Sequence, residues 1–110
     1  MTIPRMPGSP YRLQFTREAA KDIRRLRAWE TRVRDALAVL TTNPYQGHIL
    51  QGSLKGARSL EFSLPSGEHR AVYFVLSDDG ACLVFLVAHH EGVYDEATRR
   101  CNALRKSGKV

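Results

Sequence analysis

Arg70 opens the run Arg70-Ala71-Val72-Tyr73-Phe74-Val75-Leu76, one cation in an otherwise apolar stretch. A guanidinium is tolerated on such a strand only beside a carboxylate or in a solvated groove, because burying it alone is very costly. The neighbouring segments offer groups that would turn a held charge into chemistry. Glu61 and Ser63 lie on the segment before it, and His48 in the loop before that. His89-His90-Glu91 and Tyr94 follow the next apolar run. A cation to bind an anion, a carboxylate, and imidazoles that titrate at about 6.5 in their ordinary state are the parts of acid–base catalysis at an anionic centre. The plainer alternative is a structural ion pair.

Strand parity decides which of these groups meet. If the first hairpin loop is Ser66-Gly67, or the four residues 65–68, Ser63 falls opposite Arg70 and Glu61 opposite Val72. Glu61, Ser63 and Arg70 then share one partly open face. Leu60, Phe62, Leu64, Ala71 and Tyr73 share the other, which would bury against helices. The histidine pair stays ambiguous. A two- or four-residue loop within residues 77–80 puts His89 on the Arg70 face, and a three-residue loop, Asp78-Asp79-Gly80, puts His90 there instead.

Other chemistries find little support. Adjacent residues on a strand point to opposite faces, so His89-His90 is a poor metal signal, and no metal is expected. Gly52-Ser53-Leu54-Lys55-Gly56 neither follows a strand nor opens a helix, so it is not a phosphate-binding glycine loop. No cofactor is implied.

The elements that must position these groups are legible in the periodicities. Residues 11–15 alternate as a first strand. Thr16 caps a helix with Glu18 in its first turn and Ala19, Ile23 and Leu26 along one stripe. After a break at Trp29-Glu30-Thr31, a second stripe runs Val33, Ala36, Leu37, Leu40, which makes an αα-hairpin. Asn43-Pro44 ends it. Residues 45–57 read as a loop. Three strands follow, at 59–64, 70–76 and 81–88, separated by tight turns. A closing helix spans 94–104, with Ala97, Cys101 and Leu104 at helical spacing. The expected class is α+β: an N-terminal strand, the αα-hairpin, a three-stranded antiparallel meander and a C-terminal helix, in two layers.

At 110 residues the chain suits one domain, with a loose lead-in at 1–10, the domain at 11–105 and a basic tail at 106–110. Hydrophobic content of 43% and charged content of 25% fit a soluble globular protein. No run approaches the length of a membrane span, and residues 1–10 lack the apolar core of a signal peptide. With Cys82 and Cys101 alone, no disulfide framework is implied, and a cytoplasmic protein with reduced thiols is expected. The net charge of +6 favours a polyanionic partner, either nucleic acid or an acidic protein segment. Residues 99–110 carry five basic side chains and no acidic one, a further candidate surface for a polyanion.

Taken in order, Asn43-Pro44, then Leu50-Gln51-Gly52-Ser53-Leu54-Lys55-Gly56, then Glu68-His69-Arg70-Ala71-Val72-Tyr73, then Ala88-His89-His90-Glu91-Gly92-Val93-Tyr94 resemble the RelE/ParE toxin superfamily of bacterial type II toxin–antitoxin modules. The resemblance covers about residues 11–101 and implies a RelE-like, microbial-RNase-type fold. It also implies an endoribonuclease that cuts messenger RNA in the ribosomal A site, against ribosomal RNA, without a metal and held silent by a cognate antitoxin. On that resemblance Arg70 would neutralise the phosphorane, His48 would be the base, His90 the general acid, and Tyr94 would stack on or orient a base. Lys55 and Arg58 would hold flanking phosphates. The chain departs from the best-known member where Glu61 and Ser63 replace lysines. Glu61 would then act as base or partly neutralise Arg70. The superfamily also contains gyrase poisons without nuclease residues, which is the alternative function, as is a non-toxic domain that docks a partner.

Overall fold

The computed structural model describes residues 10–110. The expected lead-in, residues 1–10, lies outside them except for Pro10. In chain order the elements are β1 (Arg12–Phe15), α1 (Arg17–Arg25), α2 (Glu30–Ala38), β2 (His48–Ile49), β3 (Ala57–Leu64), β4 (Gly67–Leu76), β5 (Ala81–His89) and α3 (Val93–Lys106). The strands form one sheet ordered β1-β5-β4-β3-β2, antiparallel except for β1 beside β5. The expected strand, helical hairpin, meander and final helix are all present. β2 is an addition inside the segment read as loop.

Thr16 caps α1 as its residue type suggests, its Oγ1 accepting from the Ala19 N–H at 3.1 Å. Ala19 and Ile23 then join Val33, Leu37 and Leu40 in a core laid on the sheet face that carries Leu64, Ala71, Tyr73, Val84 and Val87. Leu60 and Phe62 pack against the same cluster, so the apolar parity expected for that face holds. The two expected layers describe this side. α3 adds cover on the other, where Val93, Ala97 and Cys101 pack on Ala57, Val72, Phe74, Phe85 and Leu86.

The first hairpin differs from expectation by two residues. Leu64 pairs with Gly67, so the loop is Pro65-Ser66, and Glu61 lies directly opposite Arg70 while Ser63 faces Glu68. Gly67 takes the first ladder position at φ +125°, a backbone that residues with a Cβ rarely adopt. The Ser63 hydroxyl donates to the Glu68 carboxylate across the pair. A two-residue slip preserves parity, so Glu61, Ser63 and Arg70 still share a face, with the carboxylate now nearer the guanidinium.

A bulge turns His89 away from Arg70. Leu76 pairs with Ala81, a four-residue loop, which by alternation alone would bring His89 beside Arg70. Yet Tyr73 faces Val84 while Val72 faces Leu86, leaving Phe85 as an extra residue. Phe85 and Leu86 therefore point to the same side, both under α3. Past this point the parity of β5 is inverted. Arg70 faces Ala88 and His69 faces His89, so His89 lies off the Arg70 face, and the strand ends there.

Two charged side chains serve the edge of the sheet at this bulge. β1 pairs with β5 only as far as Val84, so the backbone beyond it needs other partners. Asp22 accepts the Val87 N–H at 3.0 Å, and Arg100 donates to the Phe85 carbonyl at 3.0 Å. The two side chains bond each other at 2.6 and 3.1 Å. Around them Arg99 bridges Glu18 and Glu96, which ties α1 to α3. Arg105 donates to the carbonyls of Ser53 and Lys55 at 2.6 and 2.7 Å. The basic end of the chain is thus mostly committed to its own fold. Of its five cations only Lys106 and Lys109 are left for a polyanion, and Lys106 belongs to α3 rather than to a tail.

Cys82 and Cys101 are buried and free, and burial pushes the Cys82 thiol up to about 11. Among the described residues, no helix is long and apolar enough to cross a membrane.

Candidate functional site

On the sheet face beside α3, the row His48–Ser59–Val72 lies next to the row Glu61–Arg70–Ala88. Glu61 is the link between them. Its Oε1 lies 3.4 Å from Arg70 Nη1 and 3.6 Å from His48 Nε2. Arg70 is 20% exposed, whereas His48 and Glu61 face solvent. The Arg70 Nε and Nη1 are buried and make no hydrogen bond. Its contact with Glu61 is therefore an ion pair by distance and not a bidentate clasp. Guanidinium N–H donors held out of water without an acceptor are costly, and the cost is lifted when an anion enters.

Tyr94, in the first turn of α3, reaches over from the side and donates to Ser59 Oγ at 3.4 Å. Its ring stays part-exposed. Ser59 was not among the expected site residues, although it has the parity of Glu61 and sits two positions before it. Its burial under Tyr94 depends on where α3 lands, which periodicity does not reveal.

The loop that presents His48 is gripped from the opposite face. Tyr73, fully buried, donates to the Pro44 carbonyl at 2.7 Å and accepts the Gly47 N–H at 3.1 Å. Burial raises its phenol, which keeps the donor protonated. A Cβ on Gly47 would lie 2.5 Å from that hydroxyl. Arg58 completes the grip, with Nη1 donating to the Tyr45 and Gly47 carbonyls at 2.8 and 3.0 Å and the guanidinium lying 5.2 Å over the Tyr45 ring. Tyr73→Phe is accordingly expected to strand the Gly47 N–H and to cost about 1–3 kcal/mol. Urea denaturation reads that loss, and faster amide exchange at Gly47 reads the loosened loop.

Of the residues expected from sequence, the fold brings His48, Glu61 and Arg70 into one chain of contacts and sets Tyr94 beside them through Ser59. His90 follows the end of β5, its N–H donating to the Glu68 carbonyl at 3.0 Å and its ring 4.5 Å from that of His89. Arg58 is not brought to the site. It pairs with Tyr73 on the α1–α2 side, and its donors are spent on backbone carbonyls. Lys55 ends the short turn Gly52–Leu54, exposed, and its ammonium makes no ion pair among the described residues. The arrangement supplies an under-satisfied cation, a carboxylate shared with an imidazole, and a phenol. Such a set can hold an oxyanion while protons move on and off it.

Comparison with known proteins adds an independent line. A sequence profile for the ParE toxin of the type II toxin–antitoxin system parDE matches residues 13–94. No curated protein matches the chain. Among solved structures, a mutant E. coli RelE toxin in the free state is similar at a TM-score of 0.65 and 24% identity, over 83% of this chain and 97% of its own. The isolated E. coli RelE toxin is similar at 0.59 and 26%, over 82% and 97%. The RelBE2 toxin–antitoxin complex of Mycobacterium tuberculosis contains a chain similar at 0.62 and 24%, over 74% and 99%.

Proposed function

This chain belongs to the ParE toxin family of type II toxin–antitoxin systems, and we propose that it acts as a ribosome-dependent endoribonuclease that cuts messenger RNA without a metal in the reaction. The observation that carries this reading is the pair of buried donors on Arg70 that make no hydrogen bond. An ion pair built for stability uses its donors, whereas a phosphate clamp keeps them for its ligand.

In the proposed reaction a 2′-hydroxyl attacks the adjacent phosphorus and the 5′-oxygen leaves, giving a 2′,3′-cyclic phosphate and a free 5′-hydroxyl. Glu61 Oε1 stands 3.6 Å from His48 Nε2, and its closing on the Nε2–H in the RNA complex would leave Nδ1 to take the 2′-hydroxyl proton. Arg70 faces the two negative charges that gather on the equatorial phosphorane oxygens. His90 returns a proton to the leaving oxygen. The Tyr94 ring offers a stacking surface, its hydroxyl anchored on Ser59, and Lys55 meets a flanking phosphate. The reaction takes place in the cytoplasm, on translating ribosomes. A cognate antitoxin silences it, an acidic amphipathic segment that covers the basic helical surface of α1 and α2.

Induction in growing cells followed by primer extension on a translated message tests this reading. New 5′ ends within the translated message are expected, and none with Arg70→Ala. An intact message together with halted DNA replication would favour the gyrase-directed alternative, in which Glu61 serves mainly to neutralise Arg70. Unaffected growth would favour a non-toxic docking domain.

A further inference from the structure

We propose that His89, His90 and Glu91 form a binding site for one divalent transition-metal ion, with Zn2+ as the representative ligand. Alternation on a strand speaks against adjacent histidines as ligands, but that argument stops where the strand does. β5 ends at His89, and the chain turns through Glu91 and Gly92 into α3. Gly92 adopts φ +67° at the cap. The turn gathers what a strand would separate. The rings of His89 and His90 lie 4.5 Å apart, and one ligand atom from each of the three residues falls within 4.8 Å of the others.

The donor set is suited to such an ion. Two neutral imidazoles and a carboxylate match the borderline preference of Zn2+ and leave a fourth position for water. A tetrahedral site with bonds of about 2.0–2.2 Å brings ligand atoms to about 3.3 Å from one another. Rotation of exposed side chains covers that difference. Neither the His90 ring nor the Glu91 carboxylate makes a hydrogen bond or ion pair to another described residue, so nothing must be broken to move them.

His89 is already oriented. A Cβ on Gly67 would lie 2.9 Å from its Nε2, so that nitrogen is packed against the hairpin backbone. Nδ1 faces the turn, where it accepts a long bond of 3.4 Å from the Glu91 N–H. Buried His69 packs edge-on against the His89 ring at 5.3 Å, with its own Nδ1 on the Gly67 carbonyl at 2.9 Å. A ligand ring fixed from behind is the usual support for a metal centre. The assignment is therefore His89 Nδ1, one His90 nitrogen and one Glu91 oxygen; the ion displaces the long Glu91 N–H bond from Nδ1 and, where the nuclease reading holds, takes His90 out of proton transfer.

Titration of the untagged full-length chain with Zn2+ near pH 7.5 by calorimetry, alongside equilibrium dialysis, tests the site. One ion per chain is expected. His90→Ala and Glu91→Ala should each weaken binding more than about tenfold, while His48→Ala leaves it unchanged. His90 and Glu91 are exposed, so far-UV circular dichroism should show both variants folded. Absence of stoichiometric binding in the wild type, or binding indifferent to both substitutions, would overturn the proposal. Neither measurement involves RNA, so its failure is distinct from failure of the nuclease reading.

Discussion

Arg70→Met is expected to raise the melting temperature of this protein while lowering RNA cleavage by about 100- to 1,000-fold. The two effects have one origin. Arg70 holds Nε and Nη1 in a buried position without a hydrogen bond, Nη1 keeping only a 3.4 Å ion-pair contact with Glu61, and a donor left without a hydrogen bond costs about 1–3 kcal/mol. Methionine keeps much of the aliphatic volume and removes the donors. The carboxylate left behind is not stranded, because Glu61 is 44% exposed and also lies near His48. A net gain of about 1–2 kcal/mol follows, worth roughly 4–8 °C per kcal/mol in a domain of this size. Thermal melts and primer extension on the same pair of proteins read both numbers. A structural ion pair predicts the opposite sign, a loss of up to about 1 kcal/mol for a pair whose carboxylate is solvent-exposed. A lower melting temperature with cleavage intact would thus refute the anion clamp.

Asp22→Ala carries the largest expected loss of stability, about 3–5 kcal/mol. Asp22 and Arg100 have side chains only 5% and 8% exposed, so the alanine variant leaves a buried guanidinium with Glu96 and Glu18 at Nε but no carboxylate at Nη1 and Nη2. It also orphans the Val87 N–H on the open edge of β5. Arg100→Met should cost a comparable amount, by leaving the carboxylate and the Phe85 carbonyl. The double variant should cost less than the sum, because each single change already forfeits the shared pair. Its residual loss measures the two backbone groups that no hydrophobic replacement can satisfy. Urea denaturation of the four proteins closes the cycle, and additive losses would show that the two residues do not act together. The surrounding ions add a pH signature. Hydrogen bonds from Arg99 and Arg100 hold the Glu96 carboxylate down at about 2. Because the folded value lies below the ordinary 4.5, this contribution is complete above the carboxylate range and is lost as pH falls toward 2.

Much of this molecule was legible without coordinates because its signals are periodic and local. The Thr16 cap, the stripe of Ala19 and Ile23, and the even–odd split between Leu60, Phe62, Leu64 and Glu61, Ser63 all depend on a few consecutive residues. They survived even a two-residue error in the hairpin loop, since side-chain direction along a strand repeats every two positions. β2 escaped notice for the converse reason. His48–Ile49 is too short to show alternation, and it is a strand only because β3 is there to pair with it. The charge count was similarly blind to geometry. Arg99, Arg100 and Arg105 look like a free basic stripe until their partners, up to 81 residues away in Glu18, are in place.

By itself, then, the order of residues specified the α+β class, the family, and the side of the sheet on which Arg70 and Glu61 meet. That His89 is turned away from them, what grips His48, and that Arg58 faces away were decided only by tertiary structure. For His89 the reason is the bulge at Phe85. One unpaired residue reverses the side chains that follow it on the strand, and what closes the sheet edge there is Asp22, 65 residues from Val87 in the chain, together with Arg100 from the helix that follows the strand.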